Sequence, residues 1–251
     1  MFNKVIEFSA HEDYVSLKED YPTPIKLNIP EWYKKLDHSL ENKTVKGCIP
    51  FLDTLTSGYL LKMPQDFHVK HNVDNKNEKG EIFKDSFQTF GLHDQQQLLH
   101  AKYVNLNSGI DNHSLKQVEG SPFIEKNKNL PLYKIINPWK IKTPKGYSCL
   151  FTSPLNNSDD RFSIISGIVD TDTFPNEINF PIIINGDKYP VLETTIKKGT
   201  PYVQIIPFKR DNWKMTVAPR KQKEIQSSRL FYGLRLINIY KEKYWNKKSW
   251  K

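Results

Sequence analysis

Residues 143–154 read T-P-K-G-Y-S-C-L-F-T-S-P, residues 167–172 read G-I-V-D-T-D, and residues 197–208 read K-K-G-T-P-Y-V-Q-I-I-P-F. Each is an apolar or aromatic run bounded by Gly, Pro or Asp, the pattern of a short strand that ends in a turn. Thr143-Pro144-Lys145-Gly146 sets Pro at the second and Gly at the fourth turn position. The expected strands are Tyr147–Thr152, Phe162–Val169, Ile178–Ile184 and Tyr202–Phe208, with an extended run before the last and turn signals at Gly186-Asp187 and Gly199-Thr200. Just upstream, Tyr133–Lys142 is strand-like, and Pro138 implies a bulge or an edge there.

Working outward, Ser57–Met63 predicts a strand beginning after Gly58. Phe67–Val73 alternates in part as a strand does, and Phe83–Phe90 supplies a return strand across the Asn-rich stretch 72–80. Glu31–Leu36 reads as a short helix behind Pro30, with Trp32, Tyr33 and Leu36 on its buried side. His93–Lys102 fits a short helix or a loop, and 105–130 reads as a long polar surface excursion. After Pro219 the apolar residues Ile225, Leu230, Leu234, Ile237 and Tyr244 approximate a helical stripe. That predicts an amphipathic helix from Lys221 to about Tyr244, followed by the basic, aromatic segment W-N-K-K-S-W-K. The fold class is mainly β: a β-sandwich or β-clip core with a short N-terminal helix and a C-terminal amphipathic helix. Residues 1–130 form a β-rich half with long polar loops. Residues 131–218 pack with it as one domain, and 219–251 form a basic helical arm.

The 251 residues are enough for a real core. Only 37% are hydrophobic, but 12% are aromatic, and each ring buries roughly 150–250 Å². The net charge of +9 is concentrated at one end: residues 220–251 hold ten Lys or Arg against two Glu. The remainder is nearly neutral, so the basic character belongs to the arm and not to the whole surface. Cys48 and Cys149 sit in apolar surroundings and read as buried free thiols of a reducing compartment. No run is long enough to span a bilayer, and M-F-N-K-V-I-E-F reads as a first strand.

Three groups of residues offer chemistry. Asp170 and Asp172, two apart at the end of a strand, are the candidate catalytic or cation-binding pair; the same residues also make ordinary turn chemistry. The histidines do not provide a metal site. His93 and Asp94 are adjacent, and His68 and His71, three apart on a strand, face opposite sides. In the arm, Arg220, Lys221, Lys223, Arg229, Arg235, Lys247 and Lys248, with Tyr244, Trp245 and Trp250, would suit phosphate contact and base stacking, or docking on a protein.

G-I-V-D-T-D-T-F resembles the central motif of the trimeric dUTP pyrophosphatases. T-P-K-G-Y resembles that family's turn before its phosphate loop, and K-K-G-T-P-Y-V-Q-I-I-P its Gln-containing strand. The resemblance implies a β-clip fold, a water-activating role for Asp170, phosphate-side roles for Ser153 and Gln204, and Mg²⁺ with a nucleotide. The chain departs from the family at the phosphate loop, where F-T-S-P-L-N replaces P-R-S-G and only Ser153 survives. The aromatic Phe174 comes one position late, and a basic helix stands where the family has a Gly-rich arm. Trimeric decoration proteins of phage heads use a similar fold without catalysis. The whole chain also resembles a family of tailed-phage and bacterial proteins in P-E-W-Y, C-I-P-F-L-D-T-L-T-S-G-Y, W-x-I-x-T-P-x-G-Y, G-I-V-D-T-D and G-T-P-Y-V-Q-I-I-P-F.

These readings converge on a phage-encoded, non-enzymatic virion or assembly component that needs no cofactor and self-associates or binds other phage structural proteins. It would reside in the host cytoplasm during infection or in the virion, with no membrane. The alternatives are a dUTP pyrophosphatase-like nucleotide protein using Asp170, and nucleic-acid binding through residues 220–251.

Overall fold

The computed structural model describes residues 4–39, 41–74, 87–91, 110–226 and 240–251. The protein is mainly β. In the first half, β1 (Glu7–Ser9) precedes helices α1 (Glu12–Val15), α2 (Glu31–Lys35) and α3 (Ile49–Thr54), with β2 (Thr23–Pro24) between the first two. Then come β3 (Tyr59–Lys62), β4 (Phe67–Asn72), β5 (Phe87–Gly91), β6 (Ile110–His113) and α4 (Pro122–Asn127). The second half holds β7 (Leu132–Ile135), β8 (Lys140–Lys142), β9 (Tyr147–Thr152), β10 (Phe162–Ile164), β11 (Gly167–Val169), β12 (Phe180–Ile184), β13 (Val191–Ile196) and β14 (Pro201–Lys209).

A five-stranded sheet in the order β11-β9-β14-β3-β2 carries the sequence motifs. A four-stranded sheet runs β10-β12-β7-β6, a three-stranded one β13-β4-β5, and β1 pairs with β8. Strands of both sequence halves therefore interleave: β14 lies between β9 and β3, and β13 pairs with β4 over its whole length. One apolar cluster joins the sheets. Phe180 of β12 lies 5.5 Å from the Phe151 ring of β9 and 5.8 Å from Tyr202 of β14, ring centre to ring centre. Burying Phe151, Phe180 and Tyr202 with Ile135, Ile182, Ile184, Val203 and Ile205 is the main source of stabilisation.

Two expected strands are each broken into two, and at both breaks the chain passes from one sheet to another. Tyr133–Lys142 is interrupted between β7 and β8, because Pro138 has no N–H to donate. There Asn137 bonds Trp139 through its side chain, and its N–H donates to the Asn179 Oδ1 at 3.0 Å. β7 belongs to the four-stranded sheet and β8 pairs with β1, so the chain changes sheets at the break. Phe162–Val169 likewise divides into β10, paired with β12, and β11, paired with β9.

The stretch 105–130 is not a structureless excursion where it is described. It contains β6, a 3-10 turn at Leu115–Val118 and α4. Buried Asn127 closes α4 onto the sheet: its Oδ1 accepts from the Ile184 N–H at 3.0 Å, and its Nδ2 donates to the Leu130 carbonyl. The return strand expected at Phe83–Phe90 appears as β5 over Phe87–Gly91; 75–86 lies outside the described residues. The expected C-terminal helix is present at 222–226, and Tyr240–Tyr244 forms a π-turn. The interval between them, with Arg229 and Arg235, also lies outside the described residues, as do His93, Asp94 and His100. Cys149 is buried as expected, but Cys48 is exposed, because it precedes α3 and only Ile49 of that helix turns fully inward. No helix among the described residues is long and apolar enough to cross a membrane.

Candidate functional site

The acidic turn follows β11 and is held by protein groups, although the Asp170 side chain stays 60% exposed. Asp172 is almost wholly buried and accepts from both terminal nitrogens of Arg210, and from the Gly146 N–H at 2.7 Å. Asp170 accepts from the Ser148 hydroxyl at 2.6 Å and lies 3.1 Å from the same guanidinium. Arg210 also donates to the Ser148 oxygen and to the Tyr147 carbonyl, while its own N–H bonds Gly146 O at 2.8 Å. The corner is thus a fork-shaped guanidinium holding two carboxylates and the start of β9. The Arg210 hydrogen bonds and the Gly146 N–H hold Asp172 down to about 2. The Ser148 hydrogen bond and the nearby Arg210 charge keep Asp170 below the usual carboxylate range. Both are ionised at neutral pH, and Arg210 already bridges the two carboxylates. No group of three or more His, Cys, Asp or Glu able to hold a metal occurs among the described residues.

Behind the corner, Thr171 is buried and its hydroxyl lies 2.7 Å from that of Thr143 and 3.4 Å from the Cys149 sulfur. Burial pushes the Cys149 thiol up to about 11, so it is an inert core group at neutral pH.

Ser153 and Gln204 lie elsewhere. Gln204 is opposite Thr152, whereas Asp170 bonds Ser148, at the other end of β9. Four residues of strand separate the two ends, about 13 Å at ~3.3 Å per residue. Gln204 is fully buried, and both of its amide protons are taken, by Thr54 O at 3.0 Å and Ser57 O at 2.8 Å. Its Oε1 accepts from the Leu155 N–H at 2.8 Å. Ser153 Oγ accepts from the Ile164 N–H at 3.0 Å. The structure brings Ser153 and Gln204 to one end of the sheet, joins Asp170 to Asp172 at the other, and leaves the two pairs apart.

The basic segment is docked at its far end. Trp245 donates through Nε1 to both oxygens of Asp53 at 3.1 and 3.2 Å, and Lys248 pairs with the same carboxylate. The Tyr59 hydroxyl donates to Lys251 O at 3.2 Å, and the Tyr59 and Trp250 rings meet edge to face. A cavity of about 290 Å³ lies there, lined by Lys4, Tyr59, Tyr147 and Trp250 among others. Arg220, Lys221, Lys223 and Lys247 are solvent-exposed.

The two described strand histidines separate as their spacing requires. His71 faces the core and donates from Nε2 to Tyr189 O at 2.7 Å, while His68 lies on the other face beside Glu193. Burial holds His71 below its ordinary value, so the folded protein keeps the ring neutral. The unfolded chain takes up a proton near the usual value of about 6.5, and the folded state resists doing so. Stability therefore falls as pH drops below that point. Thermal melts at pH 7.5 and 5.5 are expected to show this loss, and His71→Gln is expected to shrink the difference between the two pH values.

Sequence reasoning missed Arg210 and Asp53. Their partners lie 38 and 192 residues away, and no local spacing announces either pairing. Against known protein families, curated proteins and solved structures, the chain finds no match.

Proposed function

We propose that this chain is a non-enzymatic structural or binding component that self-associates, with a β-clip-like core and a place in a phage particle or its assembly. The observation that carries the reading is that Arg210 bridges both carboxylates of the acidic corner while Ser148 and Gly146 bond one each. A nucleotide pyrophosphatase needs a carboxylate free to activate water or hold Mg²⁺ beside a phosphate cradle. Here both carboxylates share the Arg210 guanidinium, and Gln204 is bound by main-chain groups about four residues away along the sheet. The resemblance to phage and bacterial proteins supports the setting, with the host cytoplasm or the virion as location.

The discriminating measurement is a thermal-shift panel of deoxynucleoside triphosphates with Mg²⁺. No shift is expected, and Asp170→Asn should behave as the parent does. Stabilisation by dUTP that disappears in Asp170→Asn would instead establish the nucleotide reading. Nucleic-acid contact through 220–251 is supported by exposed Arg220, Lys221, Lys223 and Lys247. Trp245 and Lys248 support it less, since Asp53 engages both.

A further inference from the structure

Beyond β14 the chain leaves the sheet and exposes a row of apolar side chains. Residues 211–220 hold no helix, strand or turn, and all are exposed. Trp213, Met215 and Val217 are 90%, 86% and 90% accessible. Spaced two apart, they fall on one side of the segment when it is extended. A single exposed apolar residue is ordinary; three aligned on one side, with a tryptophan among them, mark a contact surface. Arg210, immediately before them, is fixed to Gly146, Ser148, Asp170 and Asp172. The acidic corner thus anchors the base of this arm.

We infer that residues 211–219 add as a strand to β11 of a second copy of this chain, where Trp213, Met215 and Val217 extend the outer face of that copy's five-stranded sheet. The inference rests on the self-association proposed above and names its surface. β11 is an edge strand that pairs only with β9 among the described residues. Gly167-Ile168-Val169 carries none of the charges or prolines that protect edges from pairing. The opposite edge of the same sheet is β2, which ends in Pro24, and the β13 edge presents Glu193. Ile168 is 65% exposed and stands opposite Leu150, which stands opposite Ile206. An added strand with apolar residues at alternate positions would lengthen that row, main-chain bonds giving affinity and side chains register.

The donor and the acceptor are both present in every copy. The contact is therefore heterologous, and it is satisfied throughout when copies close into a ring, each giving one arm and receiving one. A reciprocal pair would join the arm and the acceptor strip on each side, doubling the surface of a single contact. Nucleic acid is the less suited partner for this stretch, because Lys214 is the sole basic residue between Asp211 and Pro219.

The test is the solution mass of the full chain by light scattering. The parent is expected above the 29.4 kDa of one copy. A variant with Trp213, Met215 and Val217 all changed to Ser, and separately Ile168→Lys, should each fall to that mass with unchanged circular dichroism. The serine variant keeps an acceptor and the lysine variant keeps an arm, so mixing them should restore a one-to-one pair. If the serine variant keeps the parent's mass, the arm inference is overturned while self-association stands. A parent that is monomeric at about 100 µM overturns both. If the serine variant loses heparin retention but not mass, the arm serves nucleic acid and the inference is wrong.

Discussion

Gln204→Leu is expected to destabilise the unliganded protein by on the order of 3–5 kcal/mol. The substitution keeps the side chain's bulk and removes every bond it makes. Three main-chain groups lose their partner: the Leu155 N–H and the Thr54 and Ser57 carbonyls. Each unsatisfied buried group costs about 1–3 kcal/mol, and the lower part of the sum applies because the segments involved can relax toward water. A glutamine that served a bound phosphate would behave in the opposite way. Its loss would leave the empty protein as stable as before and abolish only the response to nucleotide. Urea unfolding of parent and variant without ligand decides between the two, and an unchanged midpoint would remove Gln204 from the framework role.

The same residue shows what was legible in the sequence. That Gln204 lies on a strand follows from Y-V-Q-I-I-P-F, and β9, β12 and β14 stand close to where their apolar runs place them. What Gln204 touches does not follow, because Thr54 is 150 residues away and only the pairing of β14 with β3 brings it near. Asp170 and Gln204 looked like parts of one site because they fall in a familiar order along the chain. Order does not fix position along a sheet, and here antiparallel pairing sends them to opposite ends of β9. The sheet changes at Asn137-Pro138 and Ile165-Ser166 were also hidden, since a continuous apolar run carries no mark of which partner each half will find. The alternation of Trp213, Met215 and Val217, by contrast, was readable as a strand-like period. Its exposure was not, because period two identifies a face without saying whether anything in the same molecule covers it.

A second large effect is expected at Gly58, and Gly146 provides its control. Both glycines have φ of +85°, so an alanine at either meets the same backbone penalty, about 1–2 kcal/mol. Their surroundings differ. A Cβ at Gly146 would meet nothing within 4 Å, whereas one at Gly58 would lie 2.0 Å from the Ile205 carbonyl oxygen. That oxygen belongs to β14, held by β3 on one side and β9 on the other, so it cannot yield without disturbing both ladders. Overpacking against a fixed group adds about 1–3 kcal/mol. Gly146→Ala should therefore cost about 1–2 kcal/mol, and Gly58→Ala roughly 2–5 kcal/mol in total. The contrast extends to assembly. β14 leads directly into Arg210 and the exposed arm, so a shift of β14 in Gly58→Ala should weaken self-association along with the fold. Gly146 still offers its N–H to Asp172 after substitution, and Gly146→Ala should assemble as the parent does. Urea midpoints with solution mass check both statements; equal stabilities for the two alanine variants would show that the contact between Gly58 and β14 is looser than the geometry requires.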